Sequence, residues 1–357
     1  MIYKTFGKTG IKVSAIGFGG MRFGESREES IAALLKAREL GINYFDTAPG
    51  YCGDRSEDLF GEAFRAMPKP FYVSTKSMKR AGGELREQLE RSLRRLGVPK
   101  IDFFHIWCVL SLDDYRSRLG PGGAYEAALR AKEEGLIGHI CLSTHASGEE
   151  IAVIAGEGLF AGVTLGYNAA NFPFRRAGLR AAHAAGMGIV TMNPLGGGLI
   201  PQNGDYFAFL RQGEETVAQA ALRFNAAHPE VSVALPGMGT VAEVVENAKA
   251  LENLRALTAE EIDRLEERVS QRLDALCTGC GYCSGCPEGI EIPKYMDAYN
   301  MIVLKNDEKA VADRLRWHWG LKADGAARCA ACGLCEQKCT QHLPIVERLR
   351  FVARNQG

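Results

Sequence analysis

The sequence has no excess of charge of either sign: 43 Lys and Arg balance 43 Asp and Glu, leaving a net charge of zero over 357 residues. A chain without a basic surplus lacks the attraction that holds proteins on nucleic acid or anionic lipid, so neither is expected as a partner. No run approaches the roughly eighteen consecutive apolar residues of a membrane-spanning helix. The start, Met1-Ile-Tyr-Lys-Thr-Phe-Gly-Lys-Thr-Gly10, has no apolar core of a secretory signal, which makes a reducing, cytoplasmic setting the expectation. Internal repeats and low-complexity stretches are missing as well. What remains is an ordinary globular composition, long enough for one large domain and a small one.

Cysteine, by contrast, is concentrated. Eight of the eleven cysteines fall in two tight runs, Cys277-x2-Cys280-x2-Cys283-x2-Cys286-Pro287 and Cys329-x2-Cys332-x2-Cys335-x3-Cys339. Three thiolates two residues apart can wrap one corner of a [4Fe-4S] cube, and the fourth of such a run typically ligates the other cube. That rule assigns Cys277, Cys280, Cys283 and Cys339 to one cluster, and Cys329, Cys332, Cys335 and Cys286 to a second. Two details depart from the bacterial ferredoxin pattern: the first run has two residues before its last Cys, and Thr340 stands where Pro is usual. Zinc favours two separated CxxC pairs over four Cys in ten residues, and disulfides do not suit a chain with no secretory signal.

Upstream, short apolar runs at Val13–Gly17, Tyr44–Asp46, Phe71–Thr75, Ile101–Trp107, Gly138–Leu142, Gly162–Leu165, Gly188–Met192 and Val231–Leu235 alternate with helical stretches. The helices include Arg27–Leu40, Glu57–Ala66, Glu84–Leu96, Ala124–Glu134 and Thr216–Ala227, with apolar residues three and four apart. Gly41, Gly97, Gly135 and Gly186 stand where left-handed C-caps belong. Eight strand–helix units in about 250 residues are the size of a (β/α)8 TIM barrel. The competing open sheet needs a G-x-G-x-x-G fingerprint, and Gly17-Phe-Gly19 is followed by Arg22 instead of the third Gly. The expected class is therefore α/β, a barrel over 1–257. A capped helix over 258–276 (Thr258 with Glu261) bridges to a small, mainly helical, ferredoxin-like iron–sulfur domain over 277–357. In that domain Tyr295, Tyr299, Trp317 and Trp319 are expected as core packing, or as shields for the clusters.

Barrel chemistry sits at the C-terminal ends of the strands, where the sequence places Asp46, Tyr51, Lys76 and His105. Four motifs carry a resemblance there: Gly41-Ile-Asn-Tyr-Phe-Asp-Thr-Ala-Pro-Gly-Tyr51, Ser74-Thr-Lys76, Met192-Asn-Pro-Leu-Gly-Gly-Gly198 and Pro236-Gly…Glu246-Asn247. In this order they resemble the aldo-keto reductase family across residues 1–255. The whole chain resembles the branch of that family with a C-terminal ferredoxin-like module. The resemblance implies an oxidoreductase in which Tyr51 is a general acid that protonates a carbonyl oxygen. A tyrosine titrates near pH ~10, so Lys76 is expected to favour its phenolate and Asp46 to hold Lys76. It also implies nucleotide contacts at Ser143, Asn168, Asn193, Pro194, Leu195, Gly196, Pro236, Gly237, Met238, Gly239, Glu246 and Asn247.

Three departures from the family pattern stand out. Trp107 occupies the usual histidine position of strand 4, and His105 lies two residues earlier, roughly 6.6 Å deeper along the strand unless a bulge resets the register. The loop after strand 8 has no Lys or Arg, with Glu243 where a basic residue is common. NAD(H) or a flavin phosphate then suits this loop as well as NADP(H) does. Thr164 replaces the Gln expected before Tyr167-Asn168. Nicotinamide moves electrons in pairs and a [4Fe-4S] cluster moves them singly, so a flavin or a ketyl-like intermediate is expected to divide the pair. A small-molecule substrate and a ferredoxin or flavoprotein electron donor are the expected partners. Two other readings remain: a conventional NAD(P)H reductase with structural clusters, and a non-enzymatic electron carrier or redox sensor on a degenerate barrel. Cys52, Cys108 and Cys141 read as small buried hydrophobes.

Overall fold

Strand–helix alternation along the chain becomes an eight-stranded parallel sheet. Its strands are β3 (Phe18–Gly19), β4 (Tyr44–Asp46), β5 (Tyr72–Ser77), β6 (Ile101–Val109), β7 (Ile137–Thr144), β8 (Gly162–Gly166), β9 (Gly188–Met192) and β10 (Val233–Leu235). Each pairs with its sequence neighbour, and the two ends meet. Gly17 N donates to Ala234 O at 2.9 Å, and Ala234 N to Ala15 O at 2.8 Å. Parallel bridges join Ile16 to Ala234 and Gly19 to Gly237. The sheet is thus a closed barrel, which rules out the open doubly wound alternative. The structure is a computed structural model and describes residues 1–252, 254–270, 275–277, 281–339 and 341–354; the side chains of Phe174, Ser270, Trp317 and His318 are also left out of the description. Among the described residues, no helix is long and apolar enough to cross a membrane.

The helices follow their sequence signals closely. In Gly82–Leu96, Leu85, Leu89, Ser92 and Leu96 are buried at spacings of four and three while the charged residues face out. Gly97 ends that helix with φ 63°, and Gly41, Gly135 and Gly186 also have positive φ. Thr216 and Thr240 each complete a capping box, with Gln219 and Glu243 respectively.

The first strand differs from its apolar run. Residues Lys12–Ser14 form β2, paired antiparallel with β1 (Tyr3–Thr5), and the barrel strand starts only at Phe18. The hairpin plugs one barrel end with Phe6, which is fully buried. Its ring lies 4.2 Å from that of Phe103 and 6.1 Å from that of Tyr44. Gly162 and Gly188, the first residues of β8 and β9, leave room for it. A Cβ on either would come within 2.5 or 2.2 Å of the Phe6 ring. Because the Phe6 neighbours lie at strand starts, this is the N-terminal end, and the opposite end stays open for chemistry.

The chain divides into two units. One comprises Met1–Leu195 with Ala208–Thr258; the other comprises Gly196–Phe207 with Ala259–Gly357. The second unit is helical, with Ala259–Ser270, Ile292–Lys305, Glu308–Asp313 and Ile345–Arg354 as its main elements. Its core is small: Ile292, Met296, Leu304, Val311, Leu315, Ile345, Leu349 and Val352 are buried. Tyr295 donates to Lys322 O at 2.8 Å, Trp319 Nε1 to Asp297 at 2.7 Å, and Tyr299 packs edge-on against Phe351. These aromatics are packing elements, as expected of a domain with little else to bury; the Trp317 side chain lies outside the described residues. Within the same unit Arg314 bonds Asp297 at 2.8 Å and Gln202 at 3.2 Å.

Candidate active site and cysteine hollow

At the open end of the barrel, β4 and β5 deliver two opposite charges to one buried point. Asp46 ends β4 and Lys76 stands near the end of β5, and the two are 2.5 Å apart with 2% and 3% exposure. Ser74 donates a second hydrogen bond to the carboxylate at 2.6 Å. A buried pair is stable only when its remaining lone pairs are also satisfied, and Ser74 meets part of that need. Lys76 Nζ also lies 5.5 Å from the centre of the Tyr51 ring. Burial pushes the Tyr51 phenol well above its ordinary value, with Asp46, Cys108 and Cys52 adding to the rise. The family resemblance implies that Lys76 favours the phenolate, whereas burial and Asp46 favour the protonated phenol.

Tyr51 is presented by an unusual turn. Gly50 has φ 83°, and Cys52, Gly53 and Asp54 follow with φ 54°, 63° and 66°. Two of these are not glycine, and left-handed backbone costs such residues on the order of 1–3 kcal/mol each. The turn is held from outside. Asp54 accepts from Gly50 N at 2.8 Å and from Arg95 and Arg91 at 2.9 and 2.6 Å. Arg95 also reaches the Asp54 carbonyl, Asp58 and Glu57. No motif in the sequence singles out Asp54 or Arg95. The signal was there as an acidic set, Asp54, Glu57 and Asp58, facing a basic one, Arg91 and Arg95, on the next helix.

Strand β6 separates His105 from Trp107. His105 stays in register, opposite Lys76 and Cys141, and the register breaks between Ile106 and Val109, where Cys108 has φ 64°. The bulge therefore falls after His105 and leaves it deep. Its Nδ1 lies 3.3 Å from Leu142 O and 3.5 Å from Thr164 Oγ1, and its Nε2 has no hydrogen-bond partner. Burial, with help from Lys76, pushes its pKa down to about 4, so the ring is neutral. Trp107, not His105, meets the Tyr51 ring, edge-on at 5.6 Å and 88°. Cys108 and Cys141 are buried and Cys52 is partly exposed.

The residues expected to hold a nucleotide lie at the end of β7, on the stretches after β8, β9 and β10, and on the helix Val241–Lys249. Ser143 and Asn168 are buried. Asn168 works as a staple: it donates to Asn193 O at 3.1 Å and accepts from Ala170 N and Asn171 N at 2.9 and 3.2 Å. Asn193 and Gly196 have positive φ around Pro194 and Leu195. Met238 and Asn247 are buried, and Glu246 accepts from Thr216 at 2.9 Å. At the start of helix Val241–Lys249, Glu243 accepts from Gly239 N at 2.7 Å and Thr240 N at 3.2 Å. The Gly239 and Thr240 amides at this helix start thus already face a carboxylate of the chain itself. Arg22, from the segment after β3, packs against this turn: a Cβ on Gly237 would come within 2.5 Å of its side chain, and one on Gly239 within 2.5 Å of its carbonyl. The same turn joins the barrel ends, as Pro236 O accepts from Gly19 N at 2.9 Å.

In the second unit, Cys286, Cys329, Cys332 and Cys335 line one hollow together with Cys283. Five thiols, two from the first run and three from the second, thus line this hollow. Cys277 is anchored by Asn300, which accepts from its N at 2.8 Å and donates to its O at 2.9 Å. Cys339 Sγ accepts from Leu343 N at 3.4 Å. Cys280 lies outside the described residues.

Comparison with known proteins gives two family matches. Residues 15–269 match the model described as Aldo/keto reductase family, and residues 276–343 match that of a 4Fe-4S dicluster domain. L-galactose dehydrogenase of Arabidopsis thaliana is 26% identical over 306 residues, covering 74% of this chain and 94% of that protein. An aldo-keto reductase from Bacillus halodurans superposes with a TM-score of 0.64 at 23% identity, covering 75% of this chain and 96% of that one. An aldo/keto reductase from Klebsiella pneumoniae, solved in complex with NADP and acetate, gives 0.62 at 24% identity over 75% and 95%. The two superpositions establish the fold.

Proposed function

This chain belongs to the aldo/keto reductase family and carries a C-terminal 4Fe-4S dicluster domain, and from that membership we propose that its barrel reduces a carbonyl-type small molecule with Tyr51 as the proton donor. One observation carries the reading: Lys76 is buried 2.5 Å from Asp46 and 5.5 Å from the centre of the Tyr51 ring. A proton donor must hold its proton until the substrate needs it, and burial keeps the Tyr51 phenol protonated across the neutral range. In the reaction the C=O double bond becomes C–H and O–H. The carbon takes two electrons and a proton, and the oxygen takes the phenolic proton of Tyr51. The phenolate left behind is stabilised by the Lys76 ammonium, which Asp46 holds in place, and is reprotonated from water. Trp107 closes one side of the Tyr51 ring and can offer its indole N–H to the substrate oxygen.

When bound, a nicotinamide or flavin supplies the electron pair and the two clusters exchange electrons singly with an outside donor. Cys277, Cys280, Cys283 and Cys339 would hold one cluster, and Cys286, Cys329, Cys332 and Cys335 the other. Glu243 at the helix start favours a nucleotide without a 2′-phosphate, NAD(H) or a flavin. A ferredoxin or flavoprotein is the partner class this implies, and a reducing cytoplasm suits an exposed cysteine such as Cys332.

The test is reduction of a panel of aldehydes and ketones by anaerobically purified protein. Tyr51→Phe is expected to lower kcat at least about 10²-fold, the usual contribution of a positioned general acid. A Tyr51→Phe enzyme with native kcat removes the assignment.

A further inference from the structure

The ladder between β5 and β6 gives way at Trp107. The two strands pair from Ser74–Phe103 to Ser77–Ile106, and the next pair, Met78 with Trp107, is not made. On the other side, pairing with β7 breaks after Ile106–Leu142 and resumes at Val109–Thr144, which leaves Trp107 and Cys108 opposite the single Ser143. Cys108 has φ 64°, a left-handed backbone that a residue with a side chain keeps only when its surroundings enforce it. A bulge of this kind re-aims a side chain. Here that side chain is Trp107, edge-on to the Tyr51 ring at 5.6 Å.

One buried side chain holds the bulge. Arg118, at the end of the helix Leu112–Ser117, is 3% exposed. Its Nη1 donates to Trp107 O at 3.2 Å and to Met78 O at 3.3 Å. One nitrogen thus joins the two carbonyls of the pair that the strands do not make. Nε and Nη2 donate to the two carboxylate oxygens of Asp114 at 3.2 and 3.3 Å. Asp114 in turn accepts from Leu110 N at 3.1 Å and from Arg80 at 2.6 Å. Carbonyls on one side and a carboxylate on the other call for the planar fork of an arginine, which the single ammonium of a lysine cannot reproduce. Met78 stands two residues after Lys76, so the same guanidinium ties the strand end that carries Lys76 to the one that carries Trp107.

We propose that Arg118 is a positioning residue for carbonyl reduction: it fixes the Trp107 backbone so that the indole stays against Tyr51 and its N–H meets the substrate oxygen that Tyr51 protonates. This role rests on the reading of Tyr51 as the proton donor. An indole N–H is a donor with a single direction. Such a donor favours an oxygen that gains negative charge most strongly when it is aimed before the reaction starts. Arg118 acts through Trp107 and takes no part in the proton transfer.

The test is a double-mutant cycle in anaerobic holoenzyme, using the aldehyde of the panel that native protein reduces fastest. Trp107→Phe is expected to lower kcat at least about tenfold, through loss of an aimed donor. Arg118→Gln is expected to lower kcat by a similar factor with KM within about threefold of native, through misplacement of the same donor. Because both changes remove one function, the double variant is expected within about twofold of Trp107→Phe alone. Arg80→Gln loosens Asp114 but leaves both carbonyl bonds, and is expected to keep kcat within about twofold of native. Independent, multiplying losses in the double variant overturn the role of Arg118. So does native kcat in Arg118→Gln or in Trp107→Phe, or an Arg80→Gln loss as large as that of Arg118→Gln. All of these leave the Tyr51 assignment standing, whereas native kcat in Tyr51→Phe removes that assignment and this role with it. If Arg118→Gln does not fold, fluorine NMR of native protein labelled with fluorotryptophan decides, the Trp107 resonance being identified by its loss in Trp107→Phe. One sharp Trp107 resonance supports a fixed indole, and two exchanging resonances overturn it.

Discussion

Tyr51 and His105 are set apart by their surroundings more than by their distance from the barrel mouth. Tyr51 is held protonated by burial and by Asp46, and His105 is held neutral, its pKa pushed down to about 4 from the usual 6.5. The signs fix a pH prediction. A tyrosine whose pKa is raised keeps its proton at every pH up to its shifted value, and a histidine whose pKa is lowered carries no extra proton above about 4. Neither group therefore changes state between about pH 5 and 8, and kcat for carbonyl reduction is expected to be flat across that range. An inflection near pH ~6.5 that disappears in His105→Gln would give His105 the proton-transfer role instead. The sequence made Asp46, Tyr51 and Lys76 readable because motif and strand-end position agree. It left Trp107 against His105 open, since the register depends on one bulge at Cys108 that no residue type announces.

At the scale of elements, the turn Gly50–Asp54 and the helix Gly82–Leu96 form one device. Three successive left-handed residues, two of them with side chains, are stable only because Arg95 and Arg91 grip Asp54 from the helix. Arg95→Ala removes bonds to Asp54, Glu57 and Asp58. It is expected to cost about 2 kcal/mol in urea unfolding, on the scale of hydrogen bonds to charged groups. With Tyr51 no longer fixed, kcat is expected to fall about tenfold with KM nearly unchanged, which steady-state kinetics checks. Helix limits were legible because caps and periodicity are local: Gly97 and Thr216 stand where their helices end and begin. The first barrel strand was not. Val13–Gly17 reads as a single apolar run, but Ser14 is captured by Asn43, whose side chain accepts from its N at 2.7 Å, and the hairpin takes the front of the run. Arg95 was invisible for the same reason: its partners lie about forty residues away in sequence.

The whole molecule joins a barrel built for two-electron reduction to a module whose cysteines suit one-electron carriers. The cysteine spacing marks the module and the strand–helix alternation marks the barrel, because both signals are local in sequence. How electrons pass between the two chemistries is not a local property, and no spacing encodes it. The proposal that the clusters feed the barrel, rather than brace the fold, is open to one direct measurement. Anaerobic protein carrying its native cofactors is reduced to the cluster level, freed of excess reductant, and mixed with a reducible carbonyl substrate in a stopped-flow instrument without added nucleotide. The expected result is bleaching reversal of the cluster absorbance at the rate of product formation, with two electrons lost per product molecule. Product that forms only when NAD(P)H is added, while the clusters stay reduced throughout, would contradict the relay.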